Sequence, residues 1–247
     1  MRFTTTGILC AAIVVAVSAA AQTPPTTTVR KVVAATKLPT VTNGPLYFKV
    51  QSITLSPGDK SSASGANSVL YQLSGSSDVS GVGDTKTLSA GDGLLITGGT
   101  TAELKAIGGA SSVVLHFMLS TVSDLDRPTP PGVAAVKELY QTAGPIPDLK
   151  SGPYDLNLTQ VTFPAGMPSN APHHRSGAAL YYVVSGTGAN TVDGKTTAKG
   201  PGSLVYEPYG LVHQWGNPGN EPLTFVTFNI NREGVAAVLP GVPTRTQ

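Results

Sequence analysis

Along most of this chain, apolar and polar residues either alternate or fall into runs of four or five apolar residues, and both kinds of segment end in clusters of Gly, Pro, Asp or Asn. Alternation with a period of two marks half-buried strands, and short apolar runs between turn residues mark strands covered on both faces. In the first half, Ile53-Thr54-Leu55 runs into Ser56-Pro57-Gly58, Val69 to Ser74 is stopped by Gly75, and Gly93-Leu94-Leu95-Ile96 follows Ala90-Gly91-Asp92. In the second half, Val161-Thr162-Phe163 runs into Pro164-Ala165-Gly166, Leu180 to Ser185 is stopped by Gly186, and Gly202-Ser203-Leu204-Val205 follows Gly200-Pro201. The two sets correspond at a spacing of about 110 residues, which also relates Leu115–Leu119 to Val226–Ile230. Two tandem β modules are the simplest organisation. Gly188-Ala189-Asn190 and Val192-Asp193-Gly194-Lys195 add turn signals inside the second module.

The spacing divides the chain into an N-terminal segment over 1–21, an extended arm or edge strand over 22–45, a first module over 46–120, a connector over 121–152, a second module over 153–232 and a tail over 233–247. The connector holds Arg127-Pro128-Thr129-Pro130-Pro131-Gly132, followed by apolar residues at Val133, Val136, Leu139 and Tyr140. That pattern predicts one short helix with prolines at its start.

Composition adds limits. With 28 Gly and 20 Pro, the chain suits many short strands and tight turns over a helical bundle. Lys and Arg number 16 against 14 Asp and Glu, so no excess charge points to nucleic acid or an anionic membrane as partner. Residues 1–21 combine Arg2, an apolar run from Ile8 to Val17 and a small-residue end at Ala19-Ala20-Ala21. This reads as a secretory signal peptide, too short to span a bilayer, cleaved after Ala21 or Ala19. The expected location is secreted, periplasmic or extracellular, with no membrane partner after cleavage. The only cysteine, Cys10, falls in that segment, so the mature chain carries no thiol or disulfide.

Chemistry concentrates in the second module. Gly202, Pro208, Gly210, His213 and Asn217 fit G(X)5PXG(X)2H(X)3N at every fixed position. This reads as a strand, a Pro-Tyr-Gly turn and a second strand that carries His213 toward a barrel interior. Upstream, Pro172-His173-His174-Arg175 precedes the apolar strand Ala178–Val184. On an extended strand His173 and Arg175 share one face and His174 takes the other. Tyr182 and Tyr206 lie on core strands, where either hydroxyl can orient a ligand. Glu207 alternates with Tyr206, so only one of them faces inward. His116, within the apolar run Val113–Leu119, reads as a strand residue with a local hydrogen bond. Asn157-Leu158-Thr159 has the form of a glycosylation sequon but falls in an expected strand.

The five-position motif resembles the second motif of the cupin superfamily, and the chain as a whole resembles a bicupin. The fold this implies is all-β, two tandem double-stranded β-helix (jelly-roll) barrels. In metal-binding cupins the first motif supplies two His separated by one residue and then a Glu, and the second motif supplies a third His. Matched without a gap, His173 takes the first ligand position, Arg175 the second histidine, Ala179 the glutamate and His213 the third histidine. Moving the match by one residue puts His174 on the second histidine and Pro172 on the first. A guanidinium about 5 Å from a divalent ion repels it by roughly 6 kcal/mol at an effective dielectric near 20, so Arg175 and a tightly held metal conflict. A bulge at His173-His174 would instead aim both rings inward, giving His173, His174 and His213 as ligands of one divalent Fe, Mn, Ni or Zn ion in the C-terminal barrel. Glu207 is a distant candidate for the missing carboxylate. In the first module Thr97 stands for the motif proline and Ala102 for the ligand, so that half serves as a packing partner or a second cavity. Family resemblance also implies pairing of copies as a homodimer through outer sheets.

Three functions follow. The leading one is a secreted bicupin that binds a small, partly apolar molecule in its C-terminal barrel through Arg175, Tyr182, Tyr206 and His213, with weak or absent metal dependence. The second is a metal-dependent enzyme, a dioxygenase, isomerase or decarboxylase, acting on a small oxygenated substrate. The third is a non-catalytic structural or storage-like protein.

Overall fold

The computed structural model describes residues 25–41, 44–65, 67–125 and 134–241. The proposed signal peptide, Cys10, Pro128, Pro130 and Pro131 of the connector and the end of the tail lie outside them. In chain order the first half holds β1 (Val29–Val41), β2 (Leu46–Leu55), β3 (Lys60–Ser64), β4 (Ser68–Ser74), β5 (Ser76–Ser80), β6 (Lys86–Ser89), β7 (Gly93–Ile96), β8 (Thr101–Ile107), β9 (Ser112–Thr121) and a one-turn helix, α1 (Val122–Leu125). The second half holds β10 (Ala135–Gln141), β11 (Gly152–Phe163), β12 (His173–Arg175), β13 (Ala178–Ser185), β14 (Gly188–Val192), β15 (Lys195–Lys199), β16 (Leu204–Glu207), β17 (His213–Gly216), β18 (Leu223–Arg232) and β19 (Val238–Pro240). Among the described residues no helix is long and apolar enough to cross a membrane.

Sheet order shows the duplication directly. The large sheet of the first module runs β10-β2-β9-β4-β7 and that of the second β1-β11-β18-β13-β16, and each faces a smaller sheet, β3-β8-β5-β6 or β15-β14-β17-β12-β19. The fold is therefore all-β with two tandem jelly-roll barrels. Matching strands occupy matching places, with one exchange. β1, at the start of the first repeat, forms the edge of the second module against β11, while β10, from the connector, forms the edge of the first module against β2. The arm is thus an edge strand. The connector differs from expectation: Val136, Leu139 and Tyr140 lie in strand β10, and among the described residues the only helical turn comes earlier, at α1. The open edge of β2 offers backbone hydrogen bonds to an extended partner, and they outweigh a weak helical pattern of a few apolar residues.

Parity along the strands decides what faces where. On β11, β13 and β18 the even positions, Leu156, Leu158, Leu180, Tyr182, Phe228 and Ile230 among them, join one core with Phe48, Val50, Tyr71 and Phe117 of the first module. Phe228 meets Phe48 and Phe117 at ring-centroid distances of 5.4 and 5.8 Å, and Tyr71 Oη donates to Gln160 Oε1 across the module boundary at 3.0 Å. The odd positions face into the second barrel. The lumen of the first barrel is plugged by Ile53, Leu55, Leu70, Ile96, Leu104 and Val114, with Ala102 buried among them. Among the described residues this module contributes a packing surface to the core it shares with the second.

His116 sits buried in β9 with Nε2 2.9 Å from Ser68 Oγ. Burial disfavours its charged form and pulls the imidazole down to about 4. Because the folded state resists a proton that the unfolded chain accepts near 6.5, stability holds above that value and falls as pH drops toward 4, by about 3 kcal/mol in all. Denaturant titrations at neutral and mildly acidic pH are expected to show this loss in the wild type and a smaller loss in His116→Gln. Equal acid sensitivity in the two would contradict the assignment.

Candidate functional site

The turn that carries the second-motif signature needs its glycines: Gly202 and Gly210 have φ of 82° and 72°, a region that residues with a Cβ rarely adopt. Asn217 closes the motif by donating through Nδ2 to the carbonyls of Pro164 (2.9 Å) and Glu221 (2.8 Å) and accepting from the Gly219 amide (3.2 Å). This clamp fixes the end of β17, so His213 and Trp215 project inward from a rigid base.

His213 is buried, and its Nδ1 lies 2.9 Å from the Leu211 carbonyl, which places a proton on that nitrogen. Its Nε2 edge, the one left for a ligand, lies 2.9 Å from Glu207 Oε2, off the line of a good hydrogen bond. Beside it, β12 pairs His173 with His213, and the two rings stand 4.3 Å apart at 64°. His173 Nδ1 is held by the Ala171 carbonyl at 2.8 Å, and burial draws this imidazole below its ordinary value although that carbonyl opposes the shift. Arg175, on the same face of β12, is buried, whereas His173 is half-buried. His174 points the other way, beside the Tyr209 ring and with Nδ1 3.3 Å from the Arg175 carbonyl.

Glu207 enters from β16, directly opposite Ala179 on β13. The carboxylate missing from the first motif is thus replaced from the neighbouring strand, at the same level of the barrel. Its Oε1 accepts from Trp215 Nε1 at 2.8 Å, and its Oε2 accepts from Arg175 Nε at 3.3 Å. Arg175 Nη2 donates to Tyr181 Oη, and the guanidinium carbon lies 5.4 Å from the Tyr181 ring centre. Tyr181, Trp215 and Phe225 pack on one another with centroids 5.3 to 5.4 Å apart. Burial alone would raise the Glu207 carboxyl, but His213, Arg175 and Trp215 together hold it below the usual carboxylate range. Arg175 stays charged: burial works against its charge, and Tyr181 and Glu207 more than restore it.

Next to this network the barrel encloses a cavity of about 540 Å³, whose wall includes His173, Arg175, Tyr181 and Trp215, residues of β11, β18 and β19, and Arg30 of β1. Two expected ligand contacts are corrected. Tyr182 and Tyr206 do not face the lumen; both pack in the core between modules, where Tyr206 meets the edge of Phe48 at 6.0 Å. The reason is parity: with Tyr181 and Glu207 inward, their neighbours must point out. Trp215 faces inward as well, 2% exposed in the barrel core. The bulge that would turn both His173 and His174 inward does not form. Among the described residues no three His, Cys, Asp or Glu gather as a metal would need. The donor set does not fit a divalent ion, because the Arg175 guanidinium shares Glu207, the carboxylate beside the two imidazoles.

Residues that sequence reasoning missed are Tyr181, Asn229 and Asn231. Their signal was present in β18, Leu223–Arg232, where Thr227, Asn229 and Asn231 interrupt an otherwise apolar strand at every second position.

Residues 159–229 match the family described as a cupin domain. Over 91 residues the chain is 31% identical to a mannose-1-phosphate guanylyltransferase of Escherichia coli (strain K12) and 30% identical to the mannose-1-phosphate guanylyltransferase ManC of Salmonella typhimurium. Each alignment takes in 36% of this chain and only 19% or 18% of those longer proteins. Among solved structures, the oxalate decarboxylase of Bacillus subtilis, a protein with Mn(II) centers, aligns over 80% of this chain and 71% of its own with a TM-score of 0.55 and 16% identity. Its structure at pH 4.6 aligns with a TM-score of 0.55 and 17% identity over 78% and 70%. These likenesses show the barrel architecture.

Proposed function

Starting from residues 159–229 as a cupin domain, we propose that this chain is an exported protein that binds a small organic molecule in its C-terminal barrel without a metal. The observation that carries this reading is the Arg175–Glu207 pair. It sets a neutralised cation where the metal-binding members of the superfamily place a ligand, and it leaves a cavity of about 540 Å³ open beside it. That volume suits a small ligand. Its walls divide into an aromatic end formed by Trp215, Phe225 and Tyr181 and a polar strip on β11 and β18, which fits a ligand with one apolar and one polar face. Export rests on the pattern of residues 1–21. The Mn(II) of the Bacillus protein supplies no step here, because the carboxylate beside the two imidazoles is paired with Arg175.

Thermal-shift and calorimetric binding measured in the presence of a chelator test the proposal, with a panel of small alcohols, phenols, acids and sugars. At least one compound is expected to stabilise the protein, as any ligand selective for the native state does. Thr159→Trp, which fills the lumen from its partly open wall, should abolish the effect, and Tyr206→Phe, which touches only the inter-module core, should leave it intact. Binding that survives Thr159→Trp, or that appears only when metal is added, would overturn the proposal.

A further inference from the structure

The register of the large sheet arranges the lumen in rows. Asn157, Asn229, Ala179 and Glu207 lie side by side across four strands; Thr159, Thr227 and Tyr181 form the next row, and Val161, Phe225 and Val183 the one below. Polarity therefore falls from one end of the barrel to the other, and Ala179 leaves a gap in the polar row between an amide and a carboxylate. Asn229 Nδ2 donates to Asn157 Oδ1 and to the Thr227 carbonyl, each at 2.9 Å, and the carbonyl acceptor fixes which end of the amide is oxygen. Asn229 Oδ1 has no partner, nor does Asn231 Oδ1, although the two residues are only 5% and 3% exposed. Among the described residues the Asn231 side chain makes no hydrogen bond.

Buried acceptors without donors are uncommon, and each one asks for a partner. Here two stand on the same face of β18, about 7 Å apart along the strand, and both line the cavity. A carboxylate would set oxygen lone pairs against them. Nor does the lumen hold an unbalanced cation to attract an anion, because Arg175 is neutralised by Glu207 and Arg30, also on the cavity wall, is exposed at its mouth. Hydroxyl groups complement the asparagine oxygens, and the C–H face of a ring complements Phe225 and Trp215 beneath.

Building on the metal-free binding reading above, we infer that Asn229 and Asn231 select a neutral polyhydroxylated ring, a monosaccharide or cyclitol, as the ligand of this barrel. Binding is measured on the full chain with chelator present, by calorimetry and saturation-transfer NMR, using D-glucose, D-galactose, D-mannose and myo-inositol against benzoate and succinate. At least one neutral polyol is expected to bind, and the two carboxylates are not. Asn231→Leu should weaken polyol binding roughly tenfold, as loss of a ligand hydrogen bond does. The same substitution should leave the melting temperature unchanged or raise it, since it removes a buried amide that has no partner, and a merely structural asparagine would not show that combination. Carboxylate binding that Thr159→Trp blocks, with no polyol bound, would overturn this inference and leave the lumen reading standing. Polyol binding indifferent to Asn231→Leu, or no polyol binding at all, would also overturn it, and failure of the whole wider panel of alcohols, phenols, acids and sugars would overturn both readings.

Discussion

Glu207→Gln is expected to destabilise the protein by about 3–5 kcal/mol, the usual consequence of leaving one member of a buried ion pair without its partner. Glu207 is fully buried and the Arg175 side chain is 10% exposed, so water cannot compensate the stranded guanidinium. For a chain of this size the loss corresponds to a fall in melting temperature of roughly 10 °C. Trp215 Nε1 would also have to settle for a weaker acceptor. Adding Arg175→Met to Glu207→Gln removes the unpaired charge and should recover much of the loss, because the pair as a whole pays back little beyond the desolvation of its two ions. The pH dependence has a definite sign. Glu207 is held below the usual carboxylate range, so the stability it contributes is complete above that range and disappears as pH falls through its lowered value. Denaturant melts of the two single variants and the double variant form the cycle that checks this. A loss under about 1 kcal/mol for Glu207→Gln, typical of an exposed pair, would show that the network is solvated.

Arg175→His is expected to turn the barrel into a metal site. The substitution removes the guanidinium from Glu207 and adds an imidazole on the face of β12 that already presents His173, with His213 paired across on β17. Three imidazoles and a carboxylate are a donor set that divalent first-row metals accept. Relieving a repulsion of roughly 6 kcal/mol, estimated for a guanidinium about 5 Å from a dication at an effective dielectric near 20, corresponds to about a 10⁴-fold gain in affinity. Titration with Co²⁺, followed by its visible absorption, should show one site in the variant, and Arg175→His combined with Glu207→Gln should bind more weakly. An Arg175→His protein that folds and still ignores Co²⁺ would mean that backbone placement, and not the guanidinium, keeps metal out.

Much of this architecture was legible in the residues. The spacing between Ile53 and Val161, or Val69 and Leu180, is the spacing of equivalent strands β2 and β11, or β4 and β13. The motif from Gly202 to Asn217 led to a strand, a turn and an inward His213, and simple alternation put His174 opposite His173 and Arg175. Alternation also separated Tyr206 from Glu207 but could not say which faced in. An apolar face on a barrel strand ordinarily suggests the lumen; here the more apolar face of β11, β13 and β18 is buried against the other module, and the lumen takes the face with Asn and Thr. That inversion depends on a partner sheet about 110 residues away, and no local pattern records it. The crossing of β1 onto the second module and of β10 onto the first escaped for the same reason. Both are edge choices made by tertiary pairing, and the apolar spacing at Val136, Leu139 and Tyr140 carried too little intrinsic preference to resist an open strand edge.

Arg175 occupies the place of a cation, and metal analysis of the wild-type protein, purified without a polyhistidine tag or a chelator, tests that most directly. The prediction is Fe, Mn, Ni and Zn far below one ion per chain, with a melting temperature that added Mn²⁺ does not move. Near-stoichiometric metal that His213→Ala abolishes would contradict it.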